Sequence, residues 1–349
     1  MSSSSVEKEK EKTSAAQSFL SGQKVVYGGI AWAIISLLFF LLFSIRAPGE
    51  ERPFWYLIGT YVLETLPFLA AALLCLRNWR SPTIASGRSV WLGIGLGMLA
   101  YFIANLIFGV WELYFGLDPD VSPADFFYLL SYVLIGWGMV LAVLPRRLNL
   151  ELWQWITVGA IAALGIALAV WVLLATPDAS ASTDGTGPPA TEQVENIPGS
   201  AENPASPSLS GVGTPESDEP TAQDKKQGNL PGWVTSVDQL LTPLSRQVNF
   251  AYIVFDVFLL IIASTLLLAF WGGRFAQSWR MIAAATFSLY IADMGFKYVD
   301  ALAKARGQEY ESGGLLDVFF VFSAVLFAVG AALEYDVSSR SRRSARKRA

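Results

Sequence analysis

Eight apolar runs near the roughly 20 residues that a membrane-crossing helix needs constrain the fold of this chain most strongly. They cover residues 24–46, 54–76, 90–114, 125–144, 152–175, 248–271, 279–303 and 314–335. Hydrophobic residues make up 53% of the chain and charged residues only 15%, a composition that is uncommon in water-soluble domains. The sequence therefore predicts an all-α, polytopic integral membrane protein with eight transmembrane helices.

The positions of Lys and Arg in the short loops predict how this protein is oriented. Cytoplasmic loops carry an excess of basic residues, and here the basic residues fall in alternate loops and near both chain ends. The basic loop residues are Arg77, Arg80 and Arg88, then Arg146 and Arg147, then Arg274 and Arg280. We therefore expect both termini to be cytoplasmic. The expected location is a bacterial inner membrane, with a thylakoid membrane as the alternative if the source is photosynthetic.

Composition divides the chain into seven segments. Stretches rich in Ser, Pro, Gly and acidic residues bury too little apolar surface to offset their conformational entropy, so they are expected to be disordered. The predicted segments are a disordered tail at 1–23, membrane repeat 1 at 24–145, a fifth helix opening repeat 2 at 146–175, a disordered acidic linker on the non-cytoplasmic side at 176–232, an amphipathic interfacial segment at 233–247, the rest of repeat 2 at 248–335, and a basic cytoplasmic tail at 336–349.

An internal repeat is indicated by aligning the chain with itself at shifts of 192 and 188 residues. The alignment pairs polar, small and bulky residues as well as apolar ones: Glu64 with Asp256, Trp91 with Trp279, Asn105 with Asp293, Glu112 with Asp300, Asp125 with Asp317, Ser131 with Ser323, and Gly138 with Gly330. Four helices per unit give both units the same orientation, so the sequence predicts two parallel four-helix repeats related by a pseudo-two-fold axis along the membrane normal. Asp125 and Asp317 are expected at equivalent helix starts as N-caps.

Small residues at four-residue spacing occur in two of the predicted helices. Gly93 and Gly97 form a GxxxG spacing, and Gly159, Ala163 and Ala167 repeat the interval in the fifth helix. Such residues permit close approach of helix backbones in lipid. We interpret both as ordinary helix packing.

Charged residues inside the predicted helices are the candidate functional residues. Asp293, Lys297 and Asp300 lie on one helical face, because they are spaced by four and three residues. Ionised groups within a membrane usually face the bundle interior and pair with one another. We therefore expect one inward-facing polar cluster, with Lys297 paired to Asp293, Asp300 or Glu64. The hypothetical ligand or ion pocket comprises Glu64, Asn105, Glu112, Asp256, Asp293, Lys297 and Asp300.

Three interpretations of this cluster remain open from the sequence. The charges could lock the two repeats together, form a ligand or ion pocket, or carry protons or cations through Glu64 and Asp256. A remote alternative is a retinal-binding protein with Lys297 as the Schiff-base lysine. Against that alternative, the third helix offers Asn105 in place of a proton-accepting acid.

Several function classes lack the residues they need. Histidine is absent and Cys75 is the only cysteine, so we expect no thiolate or imidazole metal site and no cofactor. The sequence has no histidine base and no Gly-rich phosphate loop, and it predicts a protein that is not an enzyme. The basic tail is a candidate site for anionic lipid headgroups, through Arg340, Arg342, Arg343, Arg346, Lys347 and Arg348. Nucleic acid is not expected as a partner, and the oligomeric state is left open.

One segment resembles a known family of membrane modules. "GLDPDVSPADFFYLLSYVLIGWGMVLAVLPRR", with Ser122, Pro123, Ala124, Asp125 and Tyr128, is similar to the recurring Pro-Ser-x-Ala-Asp-x-x-Tyr-Leu segment of the multi-helix sensory modules that precede diguanylate cyclase, phosphodiesterase or histidine kinase domains in bacterial signalling proteins. "ESGGLLDVFFVFSAVLFAVG" resembles the second copy of that segment.

The resemblance implies a sensory role, but no output domain follows the last predicted helix. We therefore expect a stand-alone membrane sensory or partner-binding module. Its expected partner is membrane lipid, and a second membrane or signalling protein is a further candidate. The alternative is a small-solute or ion transporter that uses the intramembrane acids.

Overall fold

The computed structural model describes residues 22–45, 52–117, 121–144, 151–175, 230–270, 276–305 and 312–346, and these residues form helices without strands. For 173–175, 304–305 and 340–346 the description covers the backbone alone. The helices are α1 (Gly22–Phe43), α2 (Phe54–Arg80), α3 (Arg88–Leu113), α4 (Pro123–Val143), α5 (Leu152–Ala175), α6 (Gly232–Leu241), α7 (Ser245–Ala269), α8 (Ala276–Ala305) and α9 (Val318–Arg346). Short 3₁₀ turns at Thr242–Leu244 and Leu315–Asp317 lead into α7 and α9.

Seven helical segments of the described residues are long and apolar enough to cross a membrane. They are α1, α2, α3, α4, α5, α9 and the continuous segment that joins α6, the first 3₁₀ turn and α7. The long helix α8 is not among them, because Arg280, Asp293, Lys297 and Asp300 interrupt its apolar sequence. The prediction of an all-helical, multi-pass membrane-embedded protein is confirmed in this coarser form.

Most helix boundaries lie close to the predicted apolar runs, and the differences have local causes. The helix α2 continues through Pro67 without a break. The helix α9 extends beyond the apolar run to Arg346, through a basic segment that contains neither Gly nor Pro to end it. The predicted interfacial segment 233–247 is helical, with Val234 buried and Trp233 packed on Trp111 at a ring separation of 5.8 Å.

Two three-helix units form the centre of the bundle. In the first unit α3 packs against α2 and α4, and in the second α8 packs against α7 and α9. The units contact each other through α4 against α7 and through α9 against α2. The remaining helices lie outside, α1 on α9 and α5 on α7 and α8. At the junction, Trp91 and Trp279 are fully buried with their ring centroids 6.1 Å apart.

Glycines permit a close approach between the backbones of α3 and α4. A Cβ atom on Gly93 would lie 2.8 Å from the Cα of Gly138, and one on Gly97 would lie 2.9 Å from the carbonyl oxygen of Ser131. The spacing of Gly93 and Gly97 thus serves packing between α3 and α4. In contrast, Gly159 of α5 has open space around its Cβ position.

Candidate functional site

The candidate residues predicted from the sequence lie toward one end of the bundle. This is the end at which α2, α4, α7 and α9 begin and at which α3 and α8 finish. The first half of α2 carries Glu64, the second half of α3 carries Asn105 and Glu112, and the second half of α8 carries Asp293. Antiparallel packing of neighbouring helices therefore brings acids from distant parts of the sequence to the same level of the bundle.

Asp256 of α7 and Asp293 of α8 form a buried pair of carboxyl groups, called here the carboxyl pair. Their exposed fractions are 2% and 9%, and their side chains are in hydrogen-bonding contact with each other. The hydroxyl of Tyr132 of α4 donates to Asp293 Oδ2. Among the described residues, no donor reaches Asp256 Oδ2. The pair thus places two acids at the contact between the two units, with only part of their hydrogen-bonding capacity met.

Lys297 supplies the positive charge beside the carboxyl pair. It interacts electrostatically with Asp293, which lies one helical turn earlier on α8, and with Asp256 of α7. Its Nζ donates to Asn249 Oδ1 at 3.1 Å and lies 4.7 Å from the centre of the Tyr252 ring. One ammonium group therefore lies within electrostatic range of two carboxyl groups, while its hydrogen bond points toward the end of the bundle.

Asp125 links the start of α4 to α7. Its Oδ1 accepts a hydrogen bond from the Tyr252 hydroxyl at 2.7 Å, and its Oδ2 accepts from the Ser122 backbone N–H at 2.7 Å. Ser122 is the N-cap of α4, and its hydroxyl accepts from the Ala124 N–H at 3.2 Å. The expectation that Asp125 is the N-cap is therefore wrong. Ser122 occupies that position because Pro123 begins the helix, and Asp125 completes a capping box from the third helical position.

Asp317 has a similar role ahead of α9. Its Oδ2 accepts hydrogen bonds from the backbone N–H groups of Gly313 at 2.7 Å and Gly314 at 2.9 Å. It is the last residue of the 3₁₀ turn, so it also lies inside the helical segment and not at the N-cap. Two residues paired by the repeat alignment, Asp125 and Asp317, thus both close a capping arrangement with their carboxylates.

A second acidic group, called here the Glu64 group, comprises Glu64, Glu112 and Asp317. Glu64 lies close to Asp317 and Glu112, and no donor among the described residues reaches its Oε1. The Tyr61 hydroxyl donates to Glu112 Oε2, and the Ser312 N–H donates to Glu112 Oε1 at 3.3 Å. This group joins α2 and α3 of the first unit to the residues that precede α9 of the second.

The segment 312–317 is held against α2 by hydrogen bonds from a residue within this helix and from Arg52 just before it. Arg52 Nη1 donates to the Ser312 carbonyl at 2.7 Å, and the Tyr56 hydroxyl donates to the Gly313 carbonyl at 2.7 Å. Gly313 has a φ of 96°, a conformation that favours glycine because it has no Cβ. The backbone conformation at Gly313 therefore allows the chain to turn against α2 before α9 begins.

Tyrosines lie between the carboxyl pair and the Glu64 group. Tyr128 donates its hydroxyl to Asn105 Oδ1 at 2.8 Å, and its ring packs on Tyr101 with centroids 4.8 Å apart. Tyr101 and Tyr128 both interact electrostatically with Asp293 and with Glu64. The Nδ2 of Asn105 has no acceptor among the described residues. A layer of phenol side chains thus separates the two acidic groups.

The structure divides the predicted single cluster into two groups. Lys297 interacts with Asp256, Asp293 and Asp300, and Glu64 belongs to the other group. Asp300 is partly exposed near the end of α8. The division follows from packing, because α2 contacts α9 and α3, whereas α7 and α8 contact each other.

The remaining predicted residues have other positions. Ser131 is buried and donates to the Tyr128 carbonyl at 2.7 Å, whereas the buried Ser323 Oγ has no partner among the described residues. The predicted headgroup residues Arg340, Arg342, Arg343 and Arg346 lie where the backbone alone is described, and Lys347 and Arg348 lie outside the described residues.

Several polar contacts involve residues that the sequence pattern does not indicate. Three of these residues are Tyr61, Tyr132 and Tyr252, because tyrosine is common in membrane helices and its partners are on other helices. Another is Glu334, which is fully buried at the opposite end of the bundle and accepts a hydrogen bond from Ser86 at 2.8 Å. The sequence feature that could have indicated Glu334 is its position as an acidic residue near the end of an apolar run.

The described residues contain no group of three or more His, Cys, Asp or Glu side chains arranged to hold a metal ion. A cavity of about 440 Å³ is lined by Leu267, Arg280, Ala284, Phe287, Ser288, Ile291 and Phe319, and it does not include Lys297. No observation on the described residues therefore favours retinal at Lys297.

Comparison of the chain with models of known protein families, with curated proteins and with solved structures finds no match.

Proposed function

We propose that this protein is a membrane sensory or partner-binding module without enzymatic activity, in which two repeated halves are coupled at buried polar groups. The observation that carries the proposal is the hydrogen bond from Tyr132 of α4 to Asp293 of α8. It connects a buried charge of one unit to the other unit, and Tyr252 and Asp125 form a second such contact. A change at the carboxyl pair would therefore alter how the two units pack, which is what a sensor requires.

The duplication proposed for the two units is supported by three sets of contacts. Trp91 and Trp279, paired in the alignment, contact each other, as residues next to a two-fold axis do. A Cβ on Gly138 would lie 2.8 Å from the Val90 carbonyl oxygen, and a Cβ on the aligned Gly330 would lie 3.2 Å from the Ser278 carbonyl oxygen. The contacts between units are also reciprocal, since the third helix of each unit packs on the first helix of the other.

We also propose that α8 crosses the membrane as an eighth span. Its 30 residues correspond to about 45 Å of helix, more than the ~30 Å of hydrocarbon. Its charges are compatible with a span because Asp293 is buried and Lys297 faces acids on the same and the neighbouring helix. With eight spans, the distribution of basic residues supports the proposal that both termini are cytoplasmic in a bacterium and that the carboxyl pair is in the outer half of the bundle.

A transporter remains the second candidate, on one specific observation. Glu64 and Asp256 are aligned in the repeat, and each has a buried carboxyl oxygen that no donor among the described residues reaches. Acids at equivalent positions of two parallel repeats are a feature of transporters that bind substrate or ions near the repeat interface.

Experiments on membranes that contain the full chain distinguish the sensory module from the transporter. Under the proposed function, cross-linking in native membranes followed by purification should enrich a membrane or signalling protein. Its recovery should change several-fold when Tyr132→Phe removes the hydroxyl between the units. Tyr298→Phe is the matched control, since that ring stacks on Trp171 of α5 at 5.3 Å.

A flux measurement tests the transporter alternative. In proteoliposomes the proposed function predicts no uptake of solute or cation above that of empty vesicles. Uptake that requires the chain and is lost in Asp256→Asn would replace the sensory proposal with the transporter.

A further inference from the structure

We propose that the carboxyl pair is a proton-binding site, in which Asp256 carries one exchangeable proton and donates it to Asp293. This inference deepens the proposed function and rests on it only for the consequence of proton binding, not for the site itself.

The first argument is the contact between two acids. The side chains of Asp256 and Asp293 are in hydrogen-bonding contact, yet an ionised carboxylate has no hydrogen to donate. Two ionised carboxylates at that separation would repel each other in surroundings of low polarity, so a pair of this kind shares one proton. A proton on one of them converts the repulsive contact into a hydrogen bond.

The second argument is the unsatisfied oxygen. Asp256 is 2% exposed, and its Oδ2 has no donor among the described residues. Leaving a buried anionic oxygen without a donor is costly. Protonation removes the charge and makes the group a donor, with Asp293 as the acceptor that the structure provides.

The third argument is the charge of the site. Asp256 and Asp293 carry two negative charges when ionised, and Lys297 carries one positive charge. A single bound proton makes the total charge of the three groups zero. For a buried cluster, zero total charge is the state of lowest desolvation free energy. Asp125 and Asp300 also interact electrostatically with Lys297, and their negative charges further favour a bound proton at the pair.

Other titratable groups around the pair come from α3, α4, α7 and α8. They are Tyr101 on α3, Asp125, Tyr128 and Tyr132 on α4, Tyr252 on α7, and Tyr290, Lys297 and Asp300 on α8. The helix α5 has none in its sequence, and the acid Glu334 of α9 lies at the opposite end of the bundle. The tyrosines act as donors, and Tyr132 already donates to Asp293. The proton that distinguishes the two states of the site is therefore the one between Asp256 and Asp293.

A proton can reach the site along Lys297, which extends from the pair to the exposed Asn249 at the end of the bundle. Binding forms one O–H bond on Asp256 and consumes one proton from water. Release leaves two adjacent carboxylates, which weakens the packing of α8 on α7 and on Tyr132 of α4. The site would thus report the acidity of the compartment at that end of the bundle.

Infrared spectroscopy of the full chain in lipid tests the proposal directly. Wild type at neutral pH should show the carbonyl band of a protonated carboxylic acid, shifted in D₂O, and Asp256→Asn should remove one group's contribution. Asp125→Asn is the matched control and should retain the band, because the Asp125 oxygens already accept donors. A separate contribution from Glu64 is assigned by its loss in Glu64→Gln.

Three results would overturn the inference. The band of wild type could be unchanged in Asp256→Asn, it could be absent at neutral pH, or it could disappear when sodium replaces choline, which would identify a monovalent cation as the occupant. Should Asp256→Asn fail to fold, Asp293→Asn must shift the band, since the acceptor has changed. These spectra do not depend on partner recovery or flux, so failure here and failure of the proposed function are distinguished.

Discussion

Replacing Gly93 with alanine should separate α3 from α4 and lower the stability of the bundle. The new Cβ would lie 2.8 Å from the Cα and 2.9 Å from the N of Gly138, and 3.0 Å from the carbonyl oxygen of Leu134. Carbon atoms in contact prefer about 3.5–4.0 Å, so the two helices must move apart by nearly 1 Å. All three atoms belong to the backbone, and no change of rotamer can remove the overlap.

The expected size follows from two opposing effects. Overpacking of this kind costs about 1–3 kcal/mol, and a clash with backbone lies toward the upper part of that range. Alanine in place of glycine within a helix raises the free energy of unfolding by about 0.5–1 kcal/mol. The net loss in free energy of unfolding is therefore about 1–2 kcal/mol for Gly93→Ala.

Two further glycines serve as graded controls. Gly159→Ala meets nothing within 4 Å, so it should keep or raise stability by about 0.5–1 kcal/mol. Gly330→Ala meets the Ile282 side chain at 2.7 Å, and because that side chain can rotate, its cost should fall between the other two. The free energy of unfolding is measured by denaturant titration in one detergent. Equal stability of Gly93→Ala and Gly159→Ala would refute the reasoning.

Two more predictions concern orientation and charge pairing. In intact cells, a membrane-impermeant maleimide should label a cysteine in Ser206→Cys and not one in Ser339→Cys, with low background because Cys75 is fully buried; labelling of the second variant alone would invert the topology. Lys297→Met should lower thermal stability in detergent by leaving the acids without their cation, and adding Asp293→Asn should restore part of the loss, with a coupling of about 0.5–3 kcal/mol. Additive effects of these two changes would show that the two residues do not interact.

The amino-acid sequence by itself determined where the helices lie and what they contain. The apolar runs predicted the long helices to within a few residues at most boundaries, because a segment that crosses hydrocarbon must satisfy its own backbone hydrogen bonds as a helix. The alignment of the two units also needed only the sequence. It pairs Trp91 with Trp279 and Gly138 with Gly330, and each pair has corresponding contacts in the structure.

Local chemistry was only partly predictable from the sequence. The acid at the start of α4 was expected as its N-cap, whereas Ser122 caps the helix and Asp125 completes the capping box. Either residue type suits an N-cap, so the position of Pro123 had to be weighed against the identity of the acid.

The tertiary structure alone decided which charged groups meet. Helical periodicity places Asp293 and Lys297 on one face of α8, but it does not say which helix that face contacts. The packing of α8 on α7 and of α4 on α7 brings Asp256 and Tyr132 to that face. The packing of α2 on α9 instead places Glu64 near Asp317. Partners on different helices are set by side-chain volume and backbone approach across the whole bundle, which no single stretch of sequence encodes.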